Sequence, residues 1–291
     1  MNEKFLHITN GSSAAELLEA TKIGGDILTW DDALHDGPVP SGKDLGSLSE
    51  IRAKHIADGW LPIETVRKKF SERDQKLFKY KEFEEIVLWF EHDLYDQLQL
   101  IQVLEWFSQQ NVKDGHVSLI NPGKFLTFHS LEEIRSLFAE RRMVTGAVLK
   151  IARDAWDAFR SPDPVDIMRF IEEEHQDLQY LNVALYRHLQ QFPAVINGLS
   201  RSEMQALQAV VDGNDTPARA FRISHIEKEE AAFLGDWSFF DYLERMNQVQ
   251  NPLIQFEDGS EIRVSEAINS PEEFVSIRFA HDFFVGVSLK I

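Results

Sequence analysis

Three short stretches carry residues whose types and spacing can do chemistry. In "VLWFEHDLYDQLQL" a run of apolar residues stops at Glu91-His92-Asp93, an imidazole between two acids. His92 there suits a proton-transfer or anion-binding role. Asp93 stands where a following helix wants its N-cap, with Asp96 and Gln97 in the first turn. In "TWDDALHDGPVP", Asp31 and His35 are four residues apart. On one helical face the carboxylate would orient the imidazole and raise its basicity, as a general base requires. The bland alternative is that Asp31 or Asp32 caps a turn and "DGPVP" is a rigid linker. In "NGSSAAE", Asn10, Gly11 and Ser12 enter a helix whose free N–H groups and dipole suit a phosphate or carboxylate. Ser13 with Glu16 reads as a capping box there.

These residues act together only if the fold aligns them. "KFLHIT", "GDILTW", "EEIVLWF" and "GHVSLI" read as strands, the last ending at Asn121-Pro122-Gly123. Strands that are apolar on both faces and alternate with helices imply a parallel, Rossmann-like sheet. In such a sheet ligands bind beyond the carboxyl ends of the strands. Asn10, Asp31, His35, Glu91 and His92 all follow predicted strands, so one edge would collect them. The insert at 41–83 shows no strand signal and reads as two helices, one starting near Ser47 with Glu50 as its box partner. Arg52 and Arg73 on that insert are candidate charge clamps for an anion. His7, Trp30, Trp89, Phe90 and Trp106 read as core.

Residues 1–130 therefore read as the Rossmann-like α/β domain and 131–192 as a helical connecting region. In that region Ser130 with Glu133 forms a capping box, and Asp163-Pro164 marks a helix start. Residues 193–291 read as an α+β unit of winged-helix type. Three helices, one opened by Ser200 with Glu203, precede a hairpin with an Asp258-Gly259 turn.

Composition limits the function. The chain has 291 residues, no cysteine and a net charge of -18. It cannot form disulfides or thiolate metal sites. No metal is expected, because no HxxxH or HxH spacing occurs. No cofactor is implied either, since neither GxGxxG nor GxxxxGK[ST] is present. So acidic a surface repels a phosphate backbone, which makes nucleic acid an unlikely partner. The basic stretch Val66 to Lys81 carries interspersed acids and reads as a solvated helix face. No apolar window has the length of a membrane span, and the N-terminus lacks a signal-peptide pattern, so a cytoplasmic location is expected.

The segments "HITNGSSAAELL", "GDILTWDDALHDGPVP", "VLWFEHDLYDQLQL" and "AWDAFRSPDP" resemble the bacterial domain of unknown function 1835 family. "LNVALYRHLQQFP" and "NGLSRSEMQAL" resemble the helical and winged-helix-like part that accompanies it. The family pattern places an acid where this chain has Ser12. The resemblance supports the two-part layout and implies no reaction.

Two functions fit these residues. One is an enzyme, a hydrolase or group transferase, acting on a small anionic or nucleotide-like molecule. His92 and His35 would be its acid/base groups, Asp31 and Asp93 would assist, and Asn10, Gly11, Ser12, Arg52, Arg73, Glu91 and Gln97 would form the binding surface. The other is a non-catalytic ligand sensor or adaptor whose C-terminal unit contacts a protein.

Overall fold

A computed structural model describes residues 4–57, 61–214, 216–256, 259, 261–263 and 277–279. The chain divides into two compact units, Met1–Leu189 and Gln190–Ile291.

The first unit opens with β1 (Phe5–Thr9), α1 (Ser12–Thr21) and β2 (Asp26–Thr29). The insert follows as α2 (Leu45–Ala57) and α3 (Ile63–Phe78). Then come β3 (Glu85–Trp89), α4 (Leu94–Ser108) and β4 (Val117–Ile120). All four strands run parallel. A two-residue strand, β5 (Arg142–Met143), adds an antiparallel edge beside β4, so the order is β2-β1-β3-β4-β5. β5 has no sequence signature, because two residues carry no alternation.

The sheet is covered on both faces, which is why its central strands are almost continuously apolar. Phe5, Val87, Trp89 and Ile120 pack with Ala14 and Leu18 of α1 and with Ile134 of α5 (Leu131–Ala139). Leu6, Ile8, Ile86 and Leu88 alternate with them and are fully buried on the opposite face. The chain leaves β1 toward β2 and leaves β3 in the other direction. Right-handed crossovers therefore set α1 and α4 on opposite faces. Helix α4 is buried on nearly every side, because α6 (Gly146–Phe159) and α8 (Leu181–Leu189) pack over it. Between those two lies α7 (Val165–Ile171). Residues 131–189 thus belong to the first unit.

Helix ends confirm some of the capping signals and shift others. Ser130 with Glu133 and Ser200 with Glu203 form complete capping boxes. Helix α2 starts at Leu45 instead of after Ser47, and Asp44 Oδ1 accepts from the Ser47 N–H at 2.8 Å. Asp163 accepts from the Val165 N–H at 3.0 Å, with Pro164 at the N-cap. Ser13 does not cap α1: the helix begins at Ser12, Gly11 is its N-cap residue, and no side chain bonds its first turn.

The second unit holds α9 (Arg201–Val211), α10 (Pro217–Phe221) and α11 (Asp236–Asn247). Helix α10 runs on into a π-helical turn, Arg222–Glu227. There the buried His225 Nε2 accepts from the Phe233 and Leu234 N–H groups. Leu207, Val210, Phe239, Leu243, Met246 and Ile254 anchor the core. β6 (Ile254–Phe256) pairs antiparallel with β7 (Ile277–Phe279), so the described partner of β6 is not the segment directly after Gly259. Asp258 of the expected turn and most of the expected later strands lie outside the described residues.

Candidate active site

β1 and β3 are neighbours whose connections depart in opposite directions, so the crevice at their carboxyl ends is the topological switch point of the sheet. Asn10 and Gly11 follow β1 there, and Phe90 to Asp93 follow β3.

Three carboxylates meet at this point. Glu91, Asp93 and Asp96 each offer an oxygen within 4.8 Å of the others, and all three are buried. Local structure explains how they get there. Asp93 is the N-cap of α4, its Oδ1 accepting from the N–H groups of Tyr95 (2.9 Å) and Asp96 (3.3 Å). Asp96, in the first turn, accepts from the Glu91 N–H through Oδ1. Glu91 turns its Oε1 to the Leu126 N–H. From β1, the Asn10 amide donates to Asp96 Oδ2 at 2.7 Å and to Glu91 Oε2 at 3.3 Å.

Among the described residues, no Lys, Arg or His forms an ion pair with any of the three. Burial and the Glu91 charge push the Asp93 carboxyl up to about 7. Burial raises Glu91, and burial with the charges of Asp93 and Asp96's other neighbour Glu91 raises Asp96 well above the usual carboxylate range. Burying like charges this close costs several kcal/mol, roughly, unless something neutralises them. Such a cluster can do two things: share and pass a proton, or hold a cation.

The other side of the crevice has opposite polarity. The first turn of α1 has no side-chain cap and no acid, so its N–H groups face the crevice with only the helix dipole behind them. Asp31 stands beside it. A Cβ added to Gly11 would lie 3.0 Å from Asp31 Oδ1, and Asp31 itself adopts a left-handed backbone (φ 47°). Tyr95 closes this corner. Burial, then the Asp31 charge, keeps its hydroxyl protonated far above neutral pH.

The sequence-derived candidates divide. Asn10, Gly11, Asp31, Glu91 and Asp93 gather at the crevice, and Ser12 opens the α1 turn. Gln97 is fully buried, its Nε2 donating to the Glu91 carbonyl at 2.6 Å while its Oε1 has no partner. His35 sits against the Tyr95 ring, centroids 6.0 Å apart. Residues 30–40 form no helix, so Asp31 and His35 do not share a helical face. His92 packs between Phe125 (4.9 Å) and Tyr180 (5.8 Å), and burial lowers its pKa. Its Nδ1 is buried without a partner.

Arg52 and Arg73, the expected anion clamps, are buried and engaged in internal contacts. Arg52 is wholly buried and donates to Asp32 Oδ1 (2.8 Å) and to the carbonyls of Ala33, Asp36 and Pro38. Arg73 donates to Asp74, Ser49 and the Trp30 carbonyl and lies over the Trp30 and Phe70 rings. Both are spent fixing the segment after β2 to the insert.

Asp96 was missed as a site residue because its spacing matches an ordinary first-turn acid. Asn121, expected at this edge after the fourth strand, donates to the Phe90 and Glu91 carbonyls. Tyr180, whose hydroxyl oxygen lies 2.5 Å from where a Gly123 Cβ would be, gives no sequence signal of a place here. Tyr180 is remote in sequence from every strand end.

No family model and no curated protein matches the chain.

Proposed function

We propose that the protein is an enzyme, a hydrolase or group transferase, that acts on a small anionic or nucleotide-like molecule at the β1/β3 crevice. The observation that carries this reading is the buried Glu91–Asp93–Asp96 cluster, joined through Asn10 to the uncapped start of α1. Buried carboxylates packed this close repel one another, and their place at the switch point favours chemistry. The α1 turn would take the negative charge of the ligand. The carboxylates would form the reactive end. Asp31, Tyr95 and the neutral His92 line the approaches. The resemblance to the domain of unknown function 1835 family is part of this reading and supplies no substrate.

The test is a thermal-shift screen of phosphate, pyrophosphate, nucleotides and phosphorylated metabolites, followed by product analysis of every hit. We expect a hit that wild type converts and that Asp96→Asn binds without converting. A hit that stays intact with wild type would leave the sensor reading in its place. No shift with any anion would remove the crevice site.

For the second unit, three helices before an antiparallel strand pair favour a winged-helix-like fold with a protein partner. Among its described residues, Arg201 pairs with Glu229, Arg222 with Glu227, Lys228 with Asp212 and Arg245 with Asp241, so acids are interspersed with these cations. A nucleic-acid reader needs a free basic stripe. Enrichment of a specific DNA sequence in a low-salt pull-down would overturn this. No helix among the described residues is long and apolar enough to cross a membrane.

A further inference from the structure

We propose that Glu91, Asp93 and Asp96 bind a hard divalent cation of the magnesium or calcium class, with the Gln97 amide oxygen as a fourth protein donor. This inference rests on the proposed reading of the same crevice and specifies how its negative cluster is neutralised.

The distances fit. Oxygens on opposite sides of one ion are about 4.2 Å apart for magnesium and about 4.8 Å for calcium. The three carboxylate oxygens lie within 4.8 Å of one another, no farther apart than opposite ligands of a calcium ion. The set contains oxygen only, which selects against zinc and copper.

Gln97 supplies the independent observation. It is fully buried, and its Oε1 has no hydrogen-bond partner, although buried amide oxygens are almost always satisfied. Its position directs it to the cluster. It lies one helical turn after Asp93 on the same face of α4, and its Nε2 is fixed 2.6 Å from the Glu91 carbonyl. The amide that carries Oε1 is thereby held at the backbone of Glu91, one of the three acids.

The hydrogen bonds already present are compatible with an ion. Backbone N–H groups hold Glu91 Oε1, Asp93 Oδ1 and Asp96 Oδ1, which orients each carboxylate. Asp96 Oδ2 and Glu91 Oε2 accept from the Asn10 amide, and a carboxylate oxygen that accepts one hydrogen bond keeps a lone pair for an ion. Asn10, bonded to Asp96 and Glu91, would then act as an outer support of two metal ligands. A cation here would also face the open turn of α1, so an anion between them would meet positive charge on both sides.

The test is Mn2+ binding to the full chain, followed by electron paramagnetic resonance with no anion added, together with thermal shifts in MgCl2 and CaCl2 against NaCl at equal ionic strength. We expect about one Mn2+ per chain, displaced by Mg2+ or Ca2+, and a Tm raised by several degrees. Glu91→Gln with Asp96→Asn should abolish both effects. Gln97→Met, which keeps all three carboxylates, should weaken Mn2+ binding about tenfold. If the double variant does not fold, the Gln97→Met result decides. Mn2+ binding that is absent, or unchanged in these variants, would overturn the proposal. Anion binding that persists in EDTA without Mn2+ binding would overturn it while leaving the substrate reading intact. Mn2+ binding with no response to any anion would support it and remove the substrate reading.

Discussion

Asn10, at the end of β1, donates its side-chain amide to Asp96 in the first turn of α4 at 2.7 Å. The same amide reaches Glu91 at 3.3 Å. One neutral side chain thus joins two neighbouring strand ends and supplies a hydrogen bond to two of the three crowded acids. Asn10→Ala should destabilise the protein by about 1–3 kcal/mol, the usual cost of leaving buried acceptors unsatisfied. Asn10→Asp should cost more, because a fourth carboxylate joins the cluster, and the extra loss should shrink as the pH is lowered. Urea unfolding at two pH values measures both. An Asn10→Asp protein equal to wild type at pH 7.5 would refute the relationship.

The pH dependence of the chelated protein contains two opposing contributions. Burial lowers His7, His92 and His188, the last to about 4 from an ordinary 6.5. These histidines bind protons less readily when folded, so their share of stability is present above the ordinary value and lost as pH falls below it. Burial raises Glu91, Asp93 and Asp96, with Asp93 near 7. These acids bind protons more readily when folded, so their share of stability grows as pH falls from above 7 toward their ordinary value. His188→Gln should therefore tilt the Tm profile toward greater stability in acid, and Asp93→Asn should tilt it the other way. Profiles parallel to wild type between pH 7.5 and 5 would contradict the assignment.

Arg52 is a structural residue. Its guanidinium bonds the buried Asp32 carboxylate and three carbonyls of the segment 33–38. Arg52→Ala leaves a buried carboxylate uncompensated, which costs about 3–5 kcal/mol. Arg52→Lys should recover little of this, since one ammonium cannot reproduce the fork. Chemical denaturation would show the loss. A well-folded Arg52→Ala protein impaired only in anion binding would restore the clamp reading.

Gly37 in "HDGPVP" fixes the same segment. Its φ is +77°, and a Cβ there would stand 2.3 Å from the His55 ring. Gly37→Ala should destabilise by about 2 kcal/mol or more, from backbone strain and the clash together. His55→Ala should relieve part of it. A double-mutant cycle with no coupling between the two would disprove the close approach.

The sequence by itself determined the four parallel strands of the first unit and the helices between them. The strands around "FLHIT", "DILT", "EIVLW" and "VSLI" were legible because residues buried on both faces must be apolar, and helices between them require parallel pairing. The Ser130 and Ser200 caps and the Asp93 cap were legible because capping is local chemistry. Direction alone put Asn10, Asp31 and Glu91 on one edge. The tertiary structure decided which of them meet. Pairing of β1 with β3 is a contact between residues about eighty positions apart, and no local pattern encodes it. That pairing brings Asn10 to Asp96 and turns a first-turn acid into part of a carboxylate cluster. Packing of the insert against the segment after β2 buries Arg52 and Arg73, whose charge in the sequence had suggested a ligand. A charged side chain has the same letter whether it faces solvent, a ligand or a buried acid, and only the distances between elements distinguish the three.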